Sequence, residues 1–283
     1  MKIVLAGTPN FSVPIFEKII NNFNVVAIVS QPDKPNKRGN LVTPTPTKLL
    51  ANKYNIKLFQ PIKIKDIEQD LKSLDYDVFL TCAFGQYIPE SILKIAKLGS
   101  INIHGSLLPK YRGAAPIQYS LLNGDKETGI SLIYMSKIMD AGDIIFKAKI
   151  DISELDTSDT LFEKISLLAQ EQIVDWLVKF EKNDFVAEKQ DDNLVILSPK
   201  LLKEDAHLDS SLTAEDAFNK IRSFSSNPGA YILINGRRVK IFYAHKSKKH
   251  NNSLILKFKN GNLYATDYQF ESKKRVNLLE KIS

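Results

Sequence analysis

Apolar runs and helical stripes alternate over the first 150 residues of the chain. Residues 3–6, 25–30, 78–84 and 101–104 form short runs rich in apolar and β-branched side chains, with helical patterns near 11–20, 47–54 and 89–97 between them. Strands apolar on both faces and separated by helices predict a mostly parallel, Rossmann-like α/β sheet with helices on both faces. Ligands then belong at the carboxyl ends of the strands. Thr8-Pro9-Asn10 offers capping oxygens at the entry of the first helix. From Gly129 the pattern becomes two strand-like runs, 130–135 and 144–152, that extend or flank the sheet. An amphipathic stretch follows over 158–180, where Leu161, Ile165, Leu168, Ile173, Trp176 and Leu177 recur at helical spacing.

After an acidic, polar stretch at 181–199 the period changes again. A helix at 213–224 leads into strand-like runs at 231–234, 239–243, 254–258 and 263–265, with turns at Asn235-Gly236 and Asn260-Gly261. This predicts a smaller C-terminal β-barrel, and OB-like barrels often bind oligonucleotides. The organisation read from the chain is a domain over 1–188, a linker over 189–205 and a second domain over 206–283.

Composition narrows the class. The 283 residues are 43% hydrophobic and 25% charged, which argues against a disordered, fibrous or disulfide-stapled protein. One cysteine, Cys82, excludes an intramolecular disulfide and a cysteine-cluster metal site. No apolar run approaches the ~18 residues of a membrane span, and Met1-Lys2-Ile3-Val4 runs straight into a strand rather than a signal peptide. A cytoplasmic monomer with no membrane partner is the expectation. Charge is uneven: residues 1–199 carry 23 Lys and Arg against 24 Asp and Glu, and residues 200–283 carry 16 against 8. The basic excess fits either a polyanionic partner or a solvated lysine-rich face.

The first strand runs into Gly7-Thr8-Pro9-Asn10-Phe11, where a dinucleotide fold would carry Gly-x-Gly-x-x-Gly, and that motif is absent. The densest chemistry lies in 100–118. Asn102 and His104 are two residues apart in a strand and so project from one face. An amide that can donate to an oxyanion beside an imidazole that titrates near neutrality suits acyl transfer, and a satisfied strand-end histidine is the structural alternative. Asp140 and Asp143 flank Ala141-Gly142 between two strands, as a carboxylate that orients the imidazole or as turn residues. Ser106 lacks the Gly-x-Ser-x-Gly setting of a hydrolase nucleophile. His207, His245 and His250 form no spaced metal motif.

These residues resemble a known family. Residues 101–109 (INIHGSLLP), 112–118 (RGAAPIQ) and 139–143 (MDAGD) are similar to the folate-dependent formyltransferases. The segments AGTPNF at 6–11, QPDKP at 31–35 and KRG at 37–39 are similar to the branch of that family that formylates methionyl-tRNA. The likeness extends to IRSF at 221–224 and PGAY at 228–231, and weakens toward the C-terminus. It implies transfer of a formyl group from 10-formyltetrahydrofolate to the amino group of initiator methionyl-tRNA, with no metal. It assigns Asn102, His104 and Asp140 to catalysis. It assigns the folate slot to Phe84, Gly85, Gln86, Tyr87 and Ile88, with Ser106, Leu107, Leu108 and Pro109, and with Ile138, Met139, Ala141 and Gly142 closing it. It assigns tRNA contacts to Lys34, Lys37 and Arg38 in a loop, Arg38 matching the family's key arginine. Further contacts are expected from Arg237, Arg238, Lys240, Lys246, Lys248 and Lys249. Two other readings stand beside it: a folate-dependent formyltransferase acting on a small amine such as a phosphoribosyl or sugar-nucleotide substrate, and a non-catalytic RNA-binding protein.

Overall fold

The computed structural model describes residues 1–35 and 42–278. Its main sheet has seven strands: β1 (Lys2–Gly7), β2 (Asn24–Val29), β3 (Leu58–Phe59), β4 (Val78–Cys82), β5 (Gly99–His104), β6 (Glu127–Tyr134) and β7 (Ile144–Asp151). They lie in the order β7-β6-β5-β4-β1-β2-β3. β3, β2, β1, β4 and β5 run parallel, and β6 joins β5 antiparallel. The apolar runs of the central strands are explained by burial on both faces: Ile3, Val4, Leu5, Phe79 and Leu80 are wholly inaccessible. β3 went unread because two residues carry no periodicity.

Helices α1 (Ser12–Ile20), α2 (Pro46–Lys53), α3 (Glu68–Ser73) and α4 (Glu90–Leu93) fill the connections between these strands. α4 stops short of the expected 89–97, because the N–H groups of Lys97 and Leu98 bond to the carbonyls of Tyr76 and Asp77 and turn the chain into β5. The expected side-chain cap on α1 is absent. Thr8 Oγ1 instead donates to the Phe84 carbonyl at 3.0 Å and accepts from Gln31 N–H, tying together the carboxyl ends of three strands. α2 is capped as its sequence directs, with Thr45 Oγ1 accepting from Lys48 N–H and Pro46 in the first turn.

Packing divides the described chain into two compact units. The first comprises 1–112, 129–150 and 163–197; the second comprises 113–128, 151–162 and everything from 198 onward. The division in space is interleaved, where the chain pattern suggested contiguous blocks at 1–188 and 206–283. A long helix, α6 (Ser158–Glu181), follows β7, and in the second unit α5 (Pro116–Leu122) packs on α7 (Ala214–Phe224), whose N-terminus Thr213 caps through Asp216 N–H. α7 also covers an antiparallel sheet of β8 (Ala230–Ile234), β9 (Arg237–His245), β10 (Leu254–Phe258) and β11 (Gly261–Phe270), ordered β8-β9-β11-β10. Phe218, Ile221, Phe224, Val239, Ile241, Leu256 and Leu263 form its core. Among the described residues, no helix is long and apolar enough to cross a membrane.

One close approach in the first unit is at Gly7, where β1 ends. A Cβ there would lie 2.7 Å from the Cys82 carbonyl oxygen and 2.7 Å from the Phe16 ring. The carbonyl belongs to β4 and cannot retreat. Gly7→Ala is expected to destabilise the protein by about 1–3 kcal/mol in urea denaturation, the usual cost of overpacking a filled core.

Candidate active site

The pleat of β5 decides the site. Asn102 and His104 share one face at its carboxyl end, next to β4 on one side and β6 on the other. Thr81, the β4 partner of Asn102, donates from Oγ1 to Asn102 Oδ1 at 2.7 Å. That bond fixes the amide with its NH₂ turned away, 3.4 Å from Asp140 Oδ1. His104 is 5% exposed, and its Nε2 lies 2.8 Å from the Tyr111 carbonyl oxygen. A carbonyl only accepts, so Nε2 carries hydrogen and Nδ1 is the nitrogen left to accept or release a proton. Nδ1 faces Asp140 Oδ2 at 3.5 Å.

Local structure brings these groups together. After β5 the chain folds back through 105–111, where Ser106 Oγ donates to the Lys110 carbonyl and Tyr111 takes a left-handed conformation at φ 68°. Ser131 on β6 braces the same loop, donating to the Ser106 carbonyl and accepting from Leu108 N–H. Asp140 sits on the loop between β6 and β7 at φ 54°. Gly142 has no alternative there, since a Cβ would stand 1.8 Å from the Tyr134 carbonyl oxygen. The pairing of Asp140 with His104 therefore depends on backbone conformation as much as on residue type.

A cleft of about 70 Å³ opens over this floor, lined by Gln86, Tyr87, Ile88, Asn102, Ile133, Met135, Ser136, Met139 and Asp140. Of the expected folate residues, Gln86, Tyr87, Ile88 and Met139 meet there with Asn102 and Asp140. The Gln86 amide is already engaged, accepting from Ile64 N–H and donating to the Pro61 carbonyl. Phe84 and Leu108 are core residues instead, 4% and 2% exposed, and Ser106 is wholly buried. Leu107 and Pro109 belong to the turn on which the Tyr111 carbonyl depends, and Gly85 follows Phe84 in the turn after β4. Ile138, Met139, Ala141 and Gly142 belong to the Asp140 loop, and the side chains of Ile138 and Met139 stand 68% and 62% exposed. Ile133, Met135 and Ser136 were missed, although alternation carried one residue past β6 could have found Ile133 and Met135 together. Among the described residues no cluster could hold a metal ion.

The expected RNA residues scatter more widely. Lys37 and Arg38 lie outside the described residues. Lys34 is exposed in a short ribbon of Lys34–Pro35 with Val42–Thr43. In the second unit Arg237, Arg238, Lys248 and Lys249 are exposed, with the Arg238 guanidinium 3.6 Å over the Tyr231 ring. Lys240 donates to the Pro228 carbonyl. Lys246 differs from expectation: its ammonium contacts Glu215 at 2.7 Å and Glu154 at 3.2 Å, so its charge is already balanced.

A family model described as formyl transferase matches residues 1–177, and one described as formyl transferase, C-terminal domain, matches 200–282. A methionyl-tRNA formyltransferase of Mycoplasmopsis pulmonis is 54% identical over 279 residues, covering 98% of this chain and 96% of its own. An N-formyltransferase from Helicobacter canadensis, solved with folinic acid and dTDP-3-aminofucose, superposes with TM-score 0.71 at 19% identity, over 96% of this chain and 100% of that one. HypX from Aquifex aeolicus, solved with tetrahydrofolic acid, superposes with TM-score 0.68 at 15% identity; all of this chain matches 46% of that one. At these identities the two solved structures speak to the fold alone.

The root of the Lys34 ribbon is held by Asp33. Its carboxylate accepts from Lys48 Nζ at 2.5 Å, Gln60 Nε2 at 2.7 Å and Thr45 N–H at 3.2 Å. The bonds from Lys48 and Gln60 hold its pKa below the ordinary value. A carboxyl that is harder to protonate folded than unfolded stabilises the protein above its unfolded pKa, and that contribution is lost as pH falls through the folded value. Asp33→Asn is expected to cost about 1 kcal/mol at pH 7. The gap from wild type should close on acidification below about pH 4, as followed by urea denaturation across pH.

Proposed function

The chain belongs to the formyl transferase family, within it to the methionyl-tRNA formyltransferases, and on that footing we propose that it formylates the α-amino group of methionine on initiator tRNA with 10-formyltetrahydrofolate as donor. The observation that carries the reading is the convergence of the Asn102 amide and the Asp140 carboxylate in the lining of one cleft, with His104 Nδ1 3.5 Å from Asp140 Oδ2. Ile133 and the thioethers of Met135 and Met139 give that cleft apolar walls beside polar groups, a lining that fits a flat heteroaromatic donor.

The residues divide the work by chemistry. Attack of the amine nitrogen on the formyl carbon moves an electron pair onto the formyl oxygen. Asn102 Nδ2–H, preorganised by Thr81, donates to that oxygen, as does Nδ1–H of a protonated His104. Asp140 faces the same nitrogen and keeps the charged ring aligned. Collapse re-forms the carbonyl and breaks the bond to the donor's nitrogen. The attacking nitrogen gives up a proton and the departing nitrogen takes one, an exchange that His104 Nδ1 can mediate. Lys34, with Lys37 and Arg38 beyond the described residues, is assigned to the acceptor end of the tRNA, and the exposed basic residues of the second unit to phosphates.

The direct test is incubation with formyl donor and charged initiator tRNA, scoring formylmethionine, beside a sugar-nucleotide amine as acceptor. Formyl transfer to the tRNA is expected, and transfer to the small amine alone would overturn the reading. His104→Ala and Asp140→Ala should each lower turnover by ~10²–10⁴, and Asn102→Ala by ~10²–10³. Near-normal turnover in either of the first two would remove the site assignment.

For the second unit, log affinity for tRNA should fall linearly with log salt, with a slope of magnitude about two to five at ~0.7–0.9 per phosphate neutralised. Replacing Arg237, Arg238, Lys248 and Lys249 together by alanine should flatten it. Lys246→Ala should leave it unchanged, because Glu154 and Glu215 already balance that charge. Filter binding across a salt series reads both.

A further inference from the structure

We propose that Gln190 is a positioning residue for formyl transfer: its amide holds the Asp140 main chain in the left-handed conformation from which the carboxylate meets His104. The inference rests on the role given to Asp140 above. Gln190 lies in the stretch that composition marks as a linker, 50 residues along the chain from Asp140. Its Nε2 donates to two carbonyls of the catalytic loop, Asp140 O at 2.8 Å and Gly142 O at 2.7 Å. An amide nitrogen has two hydrogens, and both are engaged.

The orientation of this amide admits no alternative. Its Oε1 accepts from Arg112 Nε at 2.9 Å, and a guanidinium only donates. A flipped amide would set NH₂ against the guanidinium and oxygen against two carbonyls. Arg112 is fixed in turn by Asp192 at 3.0 Å. The backbone leading to Gln190 is fixed as well, because Ile144 and Glu188 exchange N–H···O bonds of 2.8 Å in each direction. In that antiparallel register residue 190 falls opposite residue 142.

A loop staple anywhere on the surface would carry no functional argument, but this one joins the two supports of the catalytic pair. Arg112 directly follows Tyr111, whose carbonyl takes the His104 Nε2 hydrogen. The same Gln190 amide thus connects the main chain that sets the imidazole to the main chain that sets the carboxylate. The 3.5 Å between Nδ1 and Oδ2 is set through it. Asp140, at φ 54°, stands in the left-handed region, which aspartate tolerates better than most non-glycine residues but which is still held most firmly by external bonds.

Two variants separate positioning from bulk structure. Gln190→Glu keeps an acceptor for Arg112 and removes both donors; Gln190→Met keeps the length and removes every bond. Each should lower kcat for formyl transfer to methionyl-tRNA by ~10–100-fold, the scale of a displaced catalytic group. The KM for donor and tRNA should stay within about threefold, since the residue touches the loop backbone and not the substrates, and the lost hydrogen bonds should lower Tm by only a few degrees. Amide hydrogen exchange over 138–143 should accelerate in both. A kcat within twofold of wild type in Gln190→Glu, a rise in KM at unchanged kcat, or unchanged exchange over 138–143 would each overturn the proposal. If wild type transfers no formyl group while exchange still accelerates in the variants, the clamp stands and the activity reading fails.

Discussion

The hydrogen bond from His104 Nε2 to the Tyr111 carbonyl decides what the proposed catalytic edge can do. It commits one nitrogen of a buried ring to a partner that can only accept, which leaves Nδ1 as the atom where a proton comes and goes. The rest of the edge is arranged around that choice. The fold-back of 105–111 brings the carbonyl to the ring, Ser106 and Ser131 brace the fold-back, and Asp140 approaches from the only side on which the ring's charge can change. With Nε2 unbound, the imidazole could swing or take up a proton away from the cleft, and the neighbouring amide of Asn102 would act alone. One neutral backbone contact, outside the reacting atoms, therefore gives direction to the proposed chemistry.

What could be read along the chain follows from how local each feature is. The central strands announce themselves because burial on both faces leaves an unbroken apolar run, and Asn102 and His104 share a face because a pleat repeats every two residues. Asp140 is different. Its place opposite the imidazole depends on a left-handed backbone and on carbonyls held from 50 residues away, so by pattern alone it resembles any turn aspartate, and only the family likeness singled it out. Gln190 gave no signal at all, and Arg112 stood out only within the family-like run 112–118: they meet across 78 positions through one hydrogen bond. The basic residues of the second unit show the same limit for charge. Nothing in the run 246–249 distinguishes Lys246 from Lys248, yet Lys246 is paired with glutamates 92 and 31 positions before it.

The interleaving of the two units has the same origin. Two short pieces, 113–128 leading from β5 into β6 and 151–162 following β7, pack with the helix and strands that come after 198. Composition changes along a chain mark where it leaves one environment, but a segment as short as α5 carries too few positions to show which core receives it. Its apolar residues Ile117 and Leu121 would suit either.

The bridge between Ile144 and Glu188 sets a rule for how this chain can vary in length. An antiparallel pairing alternates sides with every residue, so one amino acid inserted or deleted between 188 and 190 would turn the glutamine amide to the opposite face of the strand. The exposed turn at 181–184 has no such constraint, since no strand pairing counts its residues. Drift in length among descendants of this gene would therefore accumulate before the bridge and stop at it, and a grafted tag or reporter domain belongs on the near side of Glu188.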